Sequence, residues 1–222
     1  MLGLLKYSSK PRILMVLAHP DDEVIFGWPI LQDARYEKYL LVCSTDELNT
    51  SRKHGSSRFF AVSDLCRHLG IKIFLYNYDS EFYRLETRRG SLKRFITCIG
   101  NRIQDIVKSG GIDFVFTHNP YGEYGNLDHK LVQHICMAYS SAPLLYTDIV
   151  QEVNWSPIHD IQSGYKRAYY SKNNKLAEDK VSCVLDTVFY DGCKKFYTDR
   201  KAWTWSYPPI KYCKLFRVCK DE

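Results

Sequence analysis

Short apolar runs alternate with longer amphipathic segments along most of the chain. The runs have the length of strands that are buried on both faces, and the segments between them show helical spacing of apolar residues. Strands are predicted at Ile13–Ala18, Tyr39–Ser44, Lys72–Tyr76, Phe114–Thr117 and Leu144–Ile149. Helices are predicted at Asp22–Tyr36, Ser57–Leu69, Ser91–Lys108 and Leu127–Tyr139. Strands that alternate with helices in this way predict a three-layer α/β domain with a mostly parallel sheet.

The alternation becomes less regular after about Gln151. A helix is predicted over Lys180–Phe196, and the apolar stretch "IKYCKLFRV" at residues 210–218 predicts a last strand. The sequence contains no linker, internal repeat or low-complexity segment that would mark a domain boundary. We therefore expect a single domain over residues 1–222.

Composition and charge exclude few classes of protein. Hydrophobic residues make up 45% of the chain and charged residues 25%, as in ordinary globular domains. The formal charge of +6 comes from scattered basic residues without a dense run, so nucleic-acid binding rests on net charge alone. The scattered charge is explained by a solvated surface or by a basic rim that attracts an anionic small substrate.

The cysteines and the apolar segments favour a cytoplasmic protein. None of the eight cysteines belongs to a C-x-x-C pair, so a zinc finger or a disulfide framework is not expected and a reducing compartment fits. The first residues, "MLGLLKYSSKPR", are too broken by charge for a signal peptide. No stretch has the length and apolarity of a transmembrane segment, so none is expected.

The first polar cluster follows the first predicted strand. The stretch "AHPDDE" at residues 18–23 places His19, Asp21, Asp22 and Glu23 directly after the apolar run "RILMVL". Four ionisable groups this close are costly unless a positive charge lies among them. The carboxylates alone are also explained by a helix cap, because acidic groups favour the first turn of a helix.

The second polar cluster follows the fourth predicted strand. The stretch "THNPYGEYGNLDHK" at residues 117–130 contains His118, Glu123, Asp128 and His129. Two histidines and a carboxylate from the two strand ends form the ligand set of a catalytic zinc, which keeps a position open for water. A structural histidine at His118 and a helix cap at Asp128 are the alternatives. The joint occurrence of both clusters at matching strand ends favours a metal site.

These two motifs resemble the PIG-L/LmbE-like family of zinc-dependent N-deacetylases. Weaker similarity continues through "RFFAVSDLCRHLG" at 58–70, "LYNYD" at 75–79 and "AWTW" at 202–205. The resemblance covers most of the chain and is least clear between residues 151 and 195. It implies a three-layer Rossmann-like fold of the LmbE-like kind.

The resemblance also implies a role for each residue of the two motifs. It implies that His19, Asp22 and His129 hold the zinc. Asp21 is implied as the general base that takes a proton from water. Asp128 is implied as the group that orients a neighbouring histidine or ligand. Ordinary chemistry agrees, because adjacent aspartates can divide metal binding and proton transfer between them.

Further positions match residues that contact substrate in relatives. Arg58 and Asp79 are implied as substrate-binding residues, and Tyr124 matches a mobile aromatic near the reacting carbonyl. The family pattern has His-x-x-His where this chain reads "NLDH", so Asn126 replaces a histidine implied to hold the oxyanion and protonate the leaving amine. An asparagine can donate a hydrogen bond to an oxyanion but cannot supply a proton. We therefore expect Asp21 to act first as base and then as acid.

The sequence thus predicts a zinc-dependent deacetylase acting on an N-acetylated amino sugar or sugar conjugate. The substrate class comes from the resemblance, and Fe²⁺ is an alternative to Zn²⁺ because His/Asp sites accept both. Two other functions stay open: an amidase for a different N-acyl conjugate, and a catalytically weakened homologue that binds metal and a sugar. The expected partner is a small molecule rather than nucleic acid. The sequence leaves the oligomeric state open, with a homo-oligomer as one outcome.

Overall fold

A computed structural model describes residues 10–44, 55–78, 91–149 and 177–218 of the protein. The strands in these ranges are β1 (Arg12–Leu17), β2 (Glu37–Ser44), β3 (Lys72–Tyr78), β4 (Phe114–Thr117), β5 (Leu144–Ile149), β6 (Ala177–Val184) and β7 (Tyr212–Val218). The helices in the same ranges are α1 (Asp22–Ile25), α2 (Trp28–Leu31), α3 (Gly55–Leu69), α4 (Ser91–Gly110), α5 (Leu127–Tyr139) and α6 (Thr187–Thr198).

The strands of the described residues form one sheet in the order β3-β2-β1-β4-β5-β7-β6. The pairs from β3 to β5 are all parallel, whereas β7 is antiparallel to both β5 and β6. In β1, Val16 is paired with Leu41 of β2 on one side and with Thr117 of β4 on the other. The predicted mostly parallel α/β fold is therefore confirmed.

Alternate residues of β1 face opposite sides of the sheet and build two hydrophobic layers. Met15 packs in one core cluster with Leu65 of α3 and Tyr190 of α6. Val16 packs in the other with residues of α4 and α5, among them Ile99. Because helices cover both faces, β1 is buried along almost its whole length and its sequence is a continuous apolar run rather than an alternating one.

Two predicted helices are wrong. The single helix expected over Asp22–Tyr36 is replaced by the short helices α1 and α2. Pro29 lies in the first turn of α2, where its missing N–H is harmless. Inside a longer helix that began at Asp22, the same proline would interrupt the hydrogen bonding of the backbone. The backbone also packs tightly at Gly27, where a Cβ would lie 2.5 Å from the terminal methyl carbon of Met15.

The second wrong helix was expected over Lys180–Phe196. The structure has the end of β6 there, followed by α6. Asp186 caps α6: its Oδ1 accepts hydrogen bonds from the backbone N–H groups of Val188 and Phe189, at 3.0 and 3.1 Å. Because an N-cap residue lies outside the helix, a helix cannot continue through Asp186.

The fold brings the two polar motifs together. β1 is followed along the chain by β2 on one side of it, whereas β4 is followed by β5 on the other side. The carboxyl ends of β1 and β4 therefore meet at a topological switch point, where open α/β sheets form a crevice for ligands. The first motif follows β1 and the second follows β4. Within the described residues, no helix is long and apolar enough to cross a membrane.

Candidate active site

The turn after β1 holds Asp21 in a strained backbone conformation. Asp21 has a φ of 94°, in the left-handed region that non-glycine residues rarely occupy. Its backbone N–H points to Glu23 Oε2 and to the hydroxyl oxygen of Tyr197, at 3.1 and 3.0 Å. The Tyr197 hydroxyl in turn donates to Glu23 Oε1. Strain of this kind costs on the order of 1–3 kcal/mol and persists only where the surrounding structure fixes it.

Three side chains converge beside this turn. Asp22 Oδ2 lies 3.4 Å from His19 Nδ1 and 3.5 Å from His129 Nε2. The ligand atoms of all three residues lie within 4.8 Å of one another, and the three side chains are buried. A tetrahedral site with metal–ligand bonds of about 2.0–2.2 Å separates its ligand atoms by roughly 3.4 Å. The spacing therefore fits a small divalent cation.

Each histidine of this group contacts a carboxylate through its other ring nitrogen. His129 Nδ1 lies 2.6 Å from Glu123 Oε2, and His19 Nε2 lies 3.0 Å from Asp128 Oδ2. His129 Nε2 is buried without a hydrogen-bond partner, which is costly unless it binds something else. Metal-binding histidines show this arrangement, because a carboxylate fixes the tautomer and the ring orientation. The donor set thus fits a divalent metal.

The pKa shifts follow from burial and from the close charges. Burial alone would raise the pKa of Asp22, but the imidazoles of His129, His118 and His19 outweigh it and hold the pKa well below its usual value. Burial and the neighbouring His118 lower the pKa of His129. The pKa shifts thus keep Asp22 ionised and favour the neutral imidazole of His129. A metal ligand needs these protonation states. Burial would lower the pKa of His19, but Asp128 and Asp22 outweigh it and raise the pKa to about 9, so that His19 would release a proton on binding a metal.

A second group, His118, Glu123 and His129, is held together by direct contacts. His118 Nε2 accepts a hydrogen bond from the backbone N–H of Ala18 at 3.0 Å, and His118 Nδ1 lies 3.2 Å from Glu123 Oε2. The rings of His118 and His129 stack with centroids 3.8 Å apart. Burial would raise the pKa of Glu123, but these two imidazoles lower it to about 2. His118 thus contacts Glu123 and the turn at Ala18, and its Nε2, which accepts from Ala18, also lies 3.5 Å from Asp22 Oδ2.

Both oxygens of the Asp21 carboxylate are engaged. Arg58 donates from Nη2 to Asp21 Oδ1 at 2.8 Å, and Thr204 donates from Oγ1 to Asp21 Oδ2 at 2.7 Å. Asp21 is only 2% exposed, and burial raises its pKa while the charge of Arg58 opposes the rise. Each carboxylate oxygen has two lone pairs, so Asp21 can still accept a proton.

Asn126 is the N-cap of α5. Its Oδ1 accepts hydrogen bonds from the backbone N–H groups of Asp128 and His129, at 2.9 and 3.4 Å. Its Nδ2 donates one hydrogen to the hydroxyl of Tyr124 at 3.0 Å and has a second hydrogen. The asparagine thus positions the segment that carries two site residues. Its predicted oxyanion contact stays a prediction.

The structure places two of the three predicted substrate-binding residues at the site and does not describe the third. Arg58 is buried against Asp21 and the backbone oxygen of Pro20. The ring of Tyr124 lies 5.6 Å from that of His129, and Asp79 lies outside the described residues. Sequence reasoning gave no role to Tyr197 or Thr204. The "AWTW" motif was a signal for Thr204, whereas nothing in the sequence connects Tyr197 with Asp21.

A mostly parallel α/β sheet with buried histidines and carboxylates at its switch point defines an α/β protein with a candidate metal site. The family model described as PIG-L, GlcNAc-PI de-N-acetylase, matches residues 14–140, more than half of the chain. The chain therefore belongs to the PIG-L family. It is also 25% identical to an uncharacterised protein of Acanthamoeba polyphaga mimivirus over 142 residues, which span 60% of this chain and 60% of that protein.

Solved structures share the fold. The A40926 pseudoaglycone deacetylase has a TM-score of 0.58 at 14% identity, covering 95% of this chain and 97% of that one. The zinc-inhibited form of a teicoplanin deacetylase has a TM-score of 0.52 at 11% identity, covering 95% and 99%. A 4-carboxy-2-hydroxymuconate hydratase from Pseudomonas putida KT2440 has a TM-score of 0.51 at 15% identity, covering 96% and 98%. At these identities the likeness shows the fold alone, and the fold serves more than one reaction.

Proposed function

We propose that this protein is a metal-dependent deacetylase that hydrolyses the acetamide of an N-acetylated amino sugar or sugar conjugate. Membership of the PIG-L family supports a deacetylase kind of function. The observation that carries the proposal is the position of Asp21, a buried carboxylate directly next to a convergent His19, Asp22 and His129 set. An ionised carboxylate beside a Lewis-acid site is what amide hydrolysis by water requires.

The three convergent residues are proposed as the metal ligands, with Zn²⁺ or Fe²⁺ as the cation. A divalent cation held there supplies Lewis acidity, which acidifies water and polarises the acyl oxygen. Glu123 and Asp128 hold the imidazoles of His129 and His19 in the orientation that leaves His129 Nε2 and His19 Nδ1 facing Asp22. These carboxylates are proposed as orienting groups.

Asp21 is proposed to take the proton from the attacking water and to pass it to the leaving amine. Arg58 and Thr204 fix the carboxylate of Asp21. The side chains of Glu23 and Tyr197 accept from its backbone N–H and fix its position. A general base works best when its pKa lies near the working pH, and burial shifts the pKa of Asp21 in that direction.

The substrate side of the site is proposed to include Asn126, Tyr124, Arg58 and Asp79. The second amide hydrogen of Asn126 is proposed to hold the developing oxyanion, with Tyr124 beside it. Arg58 and Asp79 are proposed as substrate contacts on the strength of the family pattern. The family, described as GlcNAc-PI de-N-acetylase, supports the sugar-type substrate. We also propose that residues 1–222 form one cytoplasmic domain.

A second candidate function is metal and sugar binding with weak catalysis. It is favoured by one observation, namely that Asn126 replaces the family's histidine and uses its side chain as a helix cap. In that case the chain would hold the metal with the same three ligands but would protonate the leaving amine inefficiently, because the amide of Asn126 cannot supply a proton.

Metal-controlled turnover tests the first proposal against the second. Protein stripped with a chelator would be given one equivalent of Zn²⁺ or, without oxygen, Fe²⁺. The metal is limited to one equivalent because a teicoplanin deacetylase that shares the fold has a zinc-inhibited form. The probes are N-acetylglucosamine, its methyl glycoside, UDP-N-acetylglucosamine and an N-acetylglucosaminyl phosphatidylinositol. We expect equal amounts of primary amine and acetate that depend on the metal. Tight binding of a probe without acetate release would favour the binding protein, and release from N-propionyl or N-benzoyl analogues alone would favour a different amidase.

A further inference from the structure

The chain after α6 places Thr204 between Trp203 and Trp205, which both pack against the small cluster of Ile25, Phe26 and Ile210. The Trp203 ring lies 5.9 Å from that of Tyr197 and 6.2 Å from that of Tyr190, both in α6. The Trp205 ring lies 5.4 Å from that of Phe26. Thr204 is thereby held at a fixed place between two anchors.

The hydroxyl of Thr204 reaches the carboxylate of Asp21 across 183 positions of sequence, although Thr204 itself is exposed. The donor–acceptor distance of 2.7 Å is that of a strong hydrogen bond to a charged oxygen. Arg58 holds the opposite oxygen of the same carboxylate at 2.8 Å. With one donor on each oxygen, the carboxylate cannot rotate about its last bond without breaking a contact.

We infer that Thr204 is a positioning residue that fixes the carboxylate plane of Asp21 for proton transfer. The inference rests on the proposed function, in which Asp21 is the general base. It goes beyond the assignment of the metal ligands and the general base, because it assigns a role in catalysis to the segment after α6. The packing of the two tryptophans orients the Thr204 hydroxyl, and the hydrogen bond from this hydroxyl orients the carboxylate of Asp21.

The chemistry of the bond sets the expected size of the effect. Among the described residues, the contact shown for the Thr204 hydroxyl is to Asp21 and none is shown to His19, Asp22 or His129, so its loss should lower kcat and leave KM nearly unchanged. A hydrogen bond to a charged group corresponds to about a 10- to 100-fold change in rate when it acts only in the transition state. Metal content should not change, because His19, Asp22 and His129 keep their contacts.

Two substitutions at Thr204 and a matched control test the inference. Thr204→Val removes the hydroxyl at constant shape, and Thr204→Ser keeps the hydroxyl. Thr198→Val is the control, because that hydroxyl bonds to the backbone oxygen of Lys195 within the same part of the chain and does not contact Asp21. On the best of the four probes named above, we expect kcat to fall at least tenfold in Thr204→Val, with KM within threefold. Thr204→Ser should restore kcat to within about threefold of the wild type, and Thr198→Val should match the wild type.

A double substitution shows whether Thr204 acts through Asp21. In an Asp21→Asn background, Thr204→Val should change kcat by less than threefold, since the base is already absent. A tenfold loss in both backgrounds would assign the effect to the fold and overturn the inference, as would wild-type kcat in Thr204→Val. Zinc content and thermal unfolding of every variant accompany the kinetics. If the wild-type protein releases no acetate from any probe, the proposed function itself is contradicted and the inference loses its basis. An active enzyme whose kcat does not depend on Thr204 is a different result, which contradicts the inference alone.

Discussion

Glu123 Oε2 lies 2.6 Å from His129 Nδ1, and this contact turns the other nitrogen of the ring toward Asp22. The pair is buried, and the His118 ring stacks on that of His129, with its Nδ1 3.2 Å from the same Glu123 Oε2. Glu123 therefore decides which nitrogen of His129 carries the proton. A neutral, correctly oriented imidazole is what a metal ligand requires.

Glu123→Gln is predicted to weaken metal binding without abolishing it. The amide keeps the shape and can still accept a hydrogen bond, but it lacks the charge that fixes the tautomer of His129. Loss of such an orienting carboxylate typically costs about 10- to 100-fold in metal affinity. Competition with a chromophoric chelator measures the change. Glu37→Gln, which alters an ion pair with Arg12 far from the motifs, is the control and should bind metal like the wild type.

His129→Ala is predicted to lose the metal almost completely, because a three-ligand site becomes a two-ligand site. Elemental analysis after dialysis measures the content. His134→Ala provides a matched control, because His134 lies on the same helix, is exposed and bonds to the backbone oxygen of Lys130. Full zinc occupancy in His129→Ala would show that the ligand assignment is wrong.

Asp21→Asn is predicted to keep its metal and lose turnover. The amide fits the same space, and asparagine tolerates the left-handed backbone that Asp21 adopts. It cannot accept the proton of water, and a general base is typically worth about 10²–10⁴-fold in rate. Steady-state rates and metal content are measured on the same preparation. Turnover within a few-fold of the wild type would remove Asp21 from this role.

The class of the sheet could be predicted from the sequence, but the full set of its strands and helices could not. Apolar runs such as the one in β1 predict buried strands because helices cover both faces of the sheet. The helix expected from Asp22 failed because Pro29 and the tight packing at Gly27 interrupt it, and periodicity does not register such breaks. The helix predicted over Lys180–Phe196 includes the last residues of β6, and the structure separates this strand from α6 at the cap residue Asp186.

The residues of the site, too, could be predicted from the sequence only in part. His19, Asp21 and Asp22 are neighbours in sequence, so a local motif predicts them. Thr204 and Tyr197 meet Asp21 only after folding, at separations of 183 and 176 residues. A single sequence does not encode such pairings in any local pattern, because they depend on how α6 and the chain after it pack against the turn after β1.

Asn126 caps α5 and is proposed to hold the oxyanion, and substitutions can separate these two roles. Asn126→Ala is predicted to destabilise the protein by about 0.5–2 kcal/mol, because α5 loses its N-cap. Asn126→Ser should keep the cap, since a serine hydroxyl can accept from the same backbone N–H groups, and should unfold close to the wild-type temperature. Thermal unfolding in the presence and absence of added metal measures both.

Turnover by the same two variants tests whether the amide of Asn126 also serves catalysis. Both variants lose the amide hydrogens, one of which contacts the Tyr124 hydroxyl. If Asn126 holds the oxyanion, Asn126→Ser should be stable and still slow, since loss of an oxyanion donor costs about 10²–10³-fold in rate in a protease. Metal content should stay near that of the wild type, because His129 keeps its contact with Glu123. A stable Asn126→Ser variant with wild-type kcat on its best probe would leave Asn126 as a helix cap alone, and the oxyanion would then need another donor.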